Sequence, residues 1–238
     1  MHSFELDVHT HTVSSGHYTH DTVTDMIKYA SKTGLKLLGI SEHGPAIPHS
    51  CTLSYFRGLS MAPSIRMGIR VLYGAEVNII DFSGALDLPE NIMKNLDYCI
   101  AGMHIPCLAP GTVEENTAAY IHAIENPYVR IIAHPDDVKY PVDYSRLMEA
   151  AMTHHVLLEI NNSSLAPDGY RGNVKENDRT ILELCRKYRY PVLLSSDSHG
   201  HSHIGDFTHA LALIREMNFP EELILNSSVE KFLRFLTG

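Results

Sequence analysis

The sequence predicts an α/β fold, one parallel barrel over residues 1–238 that is closed or nearly closed. Three observations carry this. Short β-rich runs recur along the chain, and helical segments lie between most of them. Each run also ends on a residue that can bind a metal or anchor a polar contact. No Pro/Gly-rich linker divides the chain, and 238 residues with 44% hydrophobic content suffice for one large core. An open doubly wound sheet is the alternative, although so many strands are more than a half-size sheet needs.

The β-rich runs are 4–8, 36–40, 71–77, 98–102, 129–133, 156–160 and 192–195. After the first, residues 22–33 place Val23, Met26, Ile27 and Ala30 at helical spacing, with Gly34 as a C-terminal cap. Residues 143–154 repeat the pattern with Leu147, Ala150 and Ala151, and 177–188 with Ile181, Leu182 and Cys185. The tail at 227–236, with Val229, Phe232, Leu233 and Leu236 at the same spacing, reads as a closing core helix. Strands alternating with helices imply parallel βαβ units.

The residues just past each strand point to chemistry. In F-E-L-D-V-H-T-H-T-V-S-S-G-H, Asp7, His9 and His11 alternate, so an extended chain directs them to one side, and His17 comes six residues later. The second run leads into Ser41-Glu42-His43, and the third ends near Glu76. Later runs lead to His104, to His134, to Asn161-Asn162 and to Asp197-Ser198-His199. In a parallel barrel these ends share one face, where βα loops build active sites. Chance in a chain with sixteen histidines would scatter them, and a purification tag would be a uniform run.

Composition removes other classes. The net charge of -9 and the lack of any basic run longer than two residues argue against nucleic acid as a general partner. No charged leader followed by an apolar segment opens the chain, and no stretch of 18 apolar residues occurs. A cytoplasmic protein is expected, with no membrane partner and with self-association left open. The four cysteines, Cys51, Cys99, Cys107 and Cys185, lack C-x-x-C spacing, which argues against a thiolate zinc site or a disulfide framework. Imidazoles with a few carboxylates suit Zn²⁺, Mn²⁺ or Fe²⁺. Seven histidines with Glu76 and Asp197 exceed what one ion needs, so two or three ions are implied, with a carboxylate such as Glu76 bridging.

The ordered motifs D-V-H-T-H-T, S-E-H-G, G-A-E-V-N, A-G-M-H, A-H-P, E-I-N-N-S-S and S-S-D-S-H resemble those of the PHP (polymerase and histidinol phosphatase) superfamily. The match is to its compact trinuclear-zinc phosphatase subgroup and runs from Asp7 to Asn226. The resemblance implies a distorted (β/α)7 barrel with the metal site at the C-terminal ends of the strands. It implies that His9, His11, Glu76 and Asp197 hold one ion, that Glu76 bridges to a second held by His104 and His134, and that His17, His43 and His199 hold a third. The implied cofactors are three divalent transition-metal ions, zinc first and manganese or iron as substitutes. The implied reaction is attack of a metal-bound hydroxide on a small phosphate monoester, a phosphorylated metabolite.

Asp7, Glu42 and Arg171 are the catalytic candidates outside the ligand set. The two carboxylates are expected to orient imidazoles; the plain alternative is capping or turn formation. Arg171 has the planar fork that suits phosphate, against an ordinary surface arginine. Asn161 and Asn162 bind substrate or tie down a loop; Lys139 and Tyr140 lie where they could reach the mouth. His201 and His203 are not expected to be ligands. Two rival functions remain at this level: an amidohydrolase-like hydrolase, disfavoured because residues 97–104 offer no lysine, and a non-catalytic PHP accessory domain.

Overall fold

The computed structural model describes residues 4–16 and 19–238. The first half runs β1 (Leu6–Asp7), α1 (Val23–Thr33), β2 (Leu37–His43), α2 (Leu53–Gly58), β3 (Ile65–Arg66), β4 (Ile69–Asn78), α3 (Glu90–Met93) and β5 (Cys99–Gly102). The second half runs α4 (Val113–Ile124), β6 (Val129–Ile132), α5 (Tyr144–His154), β7 (Leu157–Asn161), α6 (Lys175–Tyr188), β8 (Leu193–Ser195), α7 (Thr208–Glu216) and α8 (Val229–Thr237). The strands β1-β2-β4-β5-β6-β7-β8 are neighbours in that order, all parallel, and β3 pairs antiparallel with β4.

The ring is nearly closed. At the C-terminal end, His11 N donates to Ser198 O at 2.8 Å and Ser198 N to His9 O at 3.3 Å. At the other end β1 and β8 are held apart, and Asn226 fills the gap. Its side chain accepts from Leu194 N at 2.8 Å and donates to Leu194 O at 2.7 Å and to Leu6 O at 3.2 Å. Its carbonyl accepts from Glu5 N at 2.8 Å. The closure replaces the open sheet as the outcome.

Local chemistry explains most boundaries. Thr22 and Asp25 form a reciprocal capping box at the start of α1, and Gly34 ends it in the left-handed conformation at φ 89°. Asp143 caps α5 by accepting from Ser145 N and Arg146 N. The expected second strand stops at residue 40, whereas β2 runs on through Ser41, Glu42 and His43, all buried. β3, which forms a hairpin with β4, has no counterpart among the expected strands. The hairpin's two-residue turn, Met67-Gly68, has φ of 49° and 82°, a conformation usually announced by Asn-Gly rather than by methionine.

Two apolar layers support the barrel. Leu37, Leu72, Ile100, Ile131, Leu157 and Leu193 join the interior cluster, which Phe232 and Phe235 of α8 plug from below. The opposite faces of the strands pack on the outer helices; Leu38, Ile40 and Val71, for example, meet Met26, Ile27 and Ala30 of α1. The period of two then positions the site. Glu159 stands two residues beyond Leu157, Glu76 four beyond Leu72, and Asp197 four beyond Leu193, so the interior turns polar toward the C-terminal mouth.

One buried acid lies outside this scheme. Asp178 on α6 is fully buried, and neither carboxylate oxygen has a hydrogen-bond partner among the described residues. Burial, then the nearby charges of Asp136 and Glu159, push its carboxyl well above the usual range. Such a group holds its proton more tightly folded than unfolded, so stability falls as pH rises above about 4. Asp178→Asn is therefore expected to stabilise the fold at pH 8 by about 1–3 kcal/mol and to change little near pH 4. Urea unfolding at the two pH values measures this; an equal effect at both would contradict it.

Candidate metal centre

The strands deliver the candidate ligands to one point. His9 and His11 follow β1, His43 ends β2, Glu76 lies on β4, and His104 follows β5. His43 and Glu76 are register partners, so they stand side by side. His134 and Asp197 follow β6 and β8 with φ of 31° and 51°, a left-handed turn that costs about 1–2 kcal/mol for a residue with a Cβ. That turn swings both side chains into the mouth. Gly102 leaves room for His134 and Glu76: a Cβ there would lie 3.0 Å from His134 Cε1 and 3.2 Å from Glu76 Oε1.

Glu76 stands at the centre. Its Oε2 is 3.4 Å from His9 Nε2, 3.4 Å from His11 Nε2 and 2.7 Å from His43 Nδ1. Its Oε1 is 2.9 Å from His134 Nε2 and 3.3 Å from His104 Nε2. Asp197 Oδ1 lies 3.5 Å from His9 Nε2 and 3.4 Å from His11 Nε2. Tetrahedral ligands at about 2.0–2.1 Å from an ion are separated by roughly 3.3–3.4 Å, the spacing at which Glu76 and Asp197 each stand from His9 and His11, and His9, His11 and Glu76 form one donor group with ligand atoms within 4.8 Å of one another. His9 Nε2, His11 Nε2 and Glu76 Oε2 are buried with no hydrogen-bond partner among the described residues, as atoms reserved for an ion would be. Two further donor groups overlap the first, His43-Glu76-His104 and His11-His43-His199, each with its ligand atoms within 4.8 Å of one another. His17 lies outside the described residues.

The charges are matched to this geometry. Burial raises the Glu76 carboxyl, but the imidazoles of His43, His9 and His104 outweigh it and hold it well below the usual range. Asp197 is likewise raised by burial and pulled well below by His9 and Arg171. Burial lowers His9, yet Glu159, Glu76 and Asp197 raise it well above an ordinary histidine. His11, buried and facing His43 and His199, is held well below.

Residues around the cluster fix its orientation. Glu159 Oε1 lies 2.6 Å from His9 Nδ1, which leaves Nε2 aimed at the centre. Glu159 Oε2 also accepts from His134 N at 2.7 Å and from Asn161 Nδ2 at 3.0 Å, and the carboxylate binds Ser195 Oγ. Glu159 is not among the residues expected from sequence, although a lone carboxylate inside the apolar run V-L-L-E-I was a visible signal. Glu42 binds Thr12 and Ser15, and Ser15 Oγ lies 3.1 Å from His11 Nδ1, so Glu42 reaches the imidazole through a hydroxyl. Asp7 accepts from Ser196 Oγ at 2.5 Å and Gly205 N at 2.9 Å; these bonds tie the loop after β8 to β1 and involve no imidazole.

Arg171 is buried. Its guanidinium donates to Asp197 Oδ2 and to Ser164 Oγ, both at 3.0 Å, and packs 4.6 Å from the Tyr170 ring centroid. Asn161 Nδ2 also donates to Asp197 Oδ2 at 3.2 Å, and Asn162 Oδ1 accepts from His209 N and Ala210 N, capping α7. Lys139 Nζ donates to Tyr170 O, and Tyr140 is buried with its hydroxyl on Leu108 O. His201 pairs with Asp21 at 2.8 Å, apart from the cluster. A cavity of about 460 Å³ opens beside the cluster, lined by His43, His104, Arg171, Asp197 and His199 among others.

Comparison with known proteins agrees with this architecture. A probable phosphatase of Clostridium novyi is 44% identical over 98% of this chain and 94% of its own length. One of Acetivibrio thermocellus is 39% identical over 98% and 95%. Among solved structures, the histidinol phosphate phosphatase of Lactococcus lactis, complexed with zinc, L-histidinol and phosphate, superposes with a TM-score of 0.60. It shares 16% identity over 91% of this chain and 94% of that one. A chain of archaeal ribonuclease P with mature tRNA gives 0.60 at 17% identity over 98% and 90%, which is likeness of fold alone. Among the described residues no helix is long and apolar enough to cross a membrane. The PHP domain model matches residues 7–223, from the first strand-end carboxylate to the segment that closes the barrel, and the chain belongs to the PHP domain family.

Proposed function

We propose that the protein hydrolyses a small phosphate monoester using three divalent transition-metal ions, zinc first among them. The observation that carries this reading is the split carboxylate of Glu76, with one oxygen toward His9 and His11 and the other toward His104 and His134. His9, His11, Glu76 and Asp197 would hold one ion, and Glu76, His104 and His134 a second. His17, His43 and His199 would hold the third. When bound, the ions lower the pKa of a coordinated water to about 7 and neutralise the charge of the ester. The kinship with probable phosphatases and the phosphate in the Lactococcus lactis enzyme support the substrate class.

The chain's own residues do the rest. Glu76 and Asp197 return only two negative charges to three dications, so the site stays positive and favours a dianionic phosphate over a neutral amide. Arg171, held by Asp197 and Ser164, lines the cavity and would bind a non-bridging phosphate oxygen. Glu159 directly, and Glu42 through Ser15, keep the imidazole nitrogens pointed inward.

Untagged protein is expected to carry two to three equivalents of transition metal by elemental analysis, in line with ions that share ligands. Chelation should abolish phosphate release from p-nitrophenyl phosphate, and added metal should restore it. Activity that survives complete metal removal would rule the reading out. Turnover of an amide panel in place of phosphate esters would favour the amidohydrolase alternative, and metal binding with no turnover the accessory-domain one.

A further inference from the structure

The cavity beside the cluster has a lining of mixed chemistry. Metal-site residues and Arg171 line it, and so do the apolar side chains of Ile47, Met103, Ile105 and Pro106. The leaving alcohol of a phosphate held at the metal-site residues would share this cavity with those apolar side chains. A carboxylate also lines this space and has no part in the ligand scheme, that of Asp137. Asp137 is 4% exposed, and its one side-chain hydrogen bond among the described residues is from Lys139 N to Oδ1 at 2.9 Å. Its amide donates to His134 O at 3.2 Å, which fixes the loop that carries it.

No lysine, arginine or histidine lies within ion-pair distance of Asp137 among the described residues. The nearest candidate in sequence, Lys139, is spent on Tyr170, with Nζ 2.6 Å from its carbonyl and 4.7 Å from its ring centroid. A nearly buried carboxylate with no cationic partner is costly, and its field reaches whatever enters the cavity. The rest of the site, with Arg171 and the imidazole cluster, would attract a second anionic group on the substrate. Asp137, which lines the same cavity, would oppose that attraction.

We propose that Asp137 sets the charge selectivity of the leaving-group cavity. It admits phosphate esters of neutral or cationic alcohols with an apolar body, and it rejects those whose alcohol carries a second anionic group. The inference rests on the phosphatase reading and deepens it. It excludes bisphosphates and phosphorylated hydroxy acids as good substrates, and it assigns the discrimination to one side chain.

Three aryl phosphates with the same ring and the same reacting oxygen test it on the metal-loaded protein. These are para-ethylphenyl phosphate (neutral), tyramine O-phosphate (cationic) and the para-carboxyethyl analogue (anionic). At low salt, kcat/KM is expected to be about tenfold or more lower for the anionic ester than for the neutral one, and for the cationic ester at least equal to the neutral. In Asp137→Asn, whose amide oxygen can still accept from Lys139 N, the anionic-to-neutral ratio should rise to within about threefold of unity. Asp137→Glu should keep the wild-type order, and Asp137→Ser stands in if the Asn variant does not fold. Ratios taken on one preparation cancel losses of active protein. Calorimetric binding of the three matched benzylphosphonates reads the same order without turnover. If no ester is cleaved but the phosphonates bind in that order and Asp137→Asn erases it, the phosphatase reading fails and the role of Asp137 stands. If the esters are cleaved with no charge order, or with one that Asp137→Asn leaves intact, the role of Asp137 is overturned.

Discussion

Glu76→Gln is expected to lose two of the three proposed metal ions at once, with phosphate release falling by roughly a thousandfold or more, on the scale of removing a member of an interdependent catalytic unit. The reason lies in the position of the carboxylate. Its oxygens are 3.4 Å or less from five imidazole nitrogens drawn from β2 and from the segments after β1, β5 and β6. The amide keeps the shape but removes one charge, and its nitrogen is not a ligand. Two cations sharing this group would also lose the anion that screens their mutual repulsion. His17→Ala is the contrast, expected to weaken only the third ion. Metal stoichiometry and phosphate release, on variants shown by circular dichroism to be folded, measure both. Loss of a single ion from each variant would end the bridging role of Glu76.

Asn226→Leu is expected to destabilise the fold by about 3–5 kcal/mol, because three buried hydrogen bonds to main-chain groups disappear together. Asn226 is fully buried and joins Leu194 N, Leu194 O and Leu6 O across the seam between β8 and β1. Leucine fills the volume and leaves those three groups with no partner in its place. Ser227→Ala, which removes one bond to Ile224 O, should cost about 1 kcal/mol or less. Urea midpoints of the two variants make the comparison. The seam also carries the metal site, since His9 follows Leu6 on one side and Asp197 follows Leu194 on the other. The leucine variant should therefore bind metal more weakly even where it is folded. A loss below about 1 kcal/mol would mean that the seam closes without the asparagine.

Much of the architecture was legible in the sequence. β-rich runs separated by helical patterns located the strands of the parallel ring, and Gly34 marked the end of α1 because capping is a local interaction. The histidines at strand ends were legible for the same reason: in a parallel barrel the end of a strand is a place in space as well as in sequence. The weaker signals failed where local preference was thin. The Met67-Gly68 turn has no customary turn sequence, and α4 buries a broad face with Asn116, Thr117, Ala119, Tyr120, Ala123 and Ile124, blurring its apolar period.

The residues that orient the site were decided elsewhere. Glu159 meets His9 across 150 residues, and Asp7 meets Ser196 across 189. Arg171 read equally well as a surface arginine, until the fold buried it against Asp197 and Ser164. Asp7 alternates with His9 and His11 in sequence, yet it binds Ser196 and Gly205 rather than an imidazole. By itself, then, the sequence determined the donor chemistry, the strand-and-helix rhythm and the common edge where the ligands gather. Only the tertiary structure decided which oxygen faces which imidazole, which carboxylates stand behind them, and where Asp137 and Arg171 lie. The physical reason is that residue type and periodicity are properties of a segment, whereas strand register and ring closure place partners far apart in the chain within hydrogen-bonding distance.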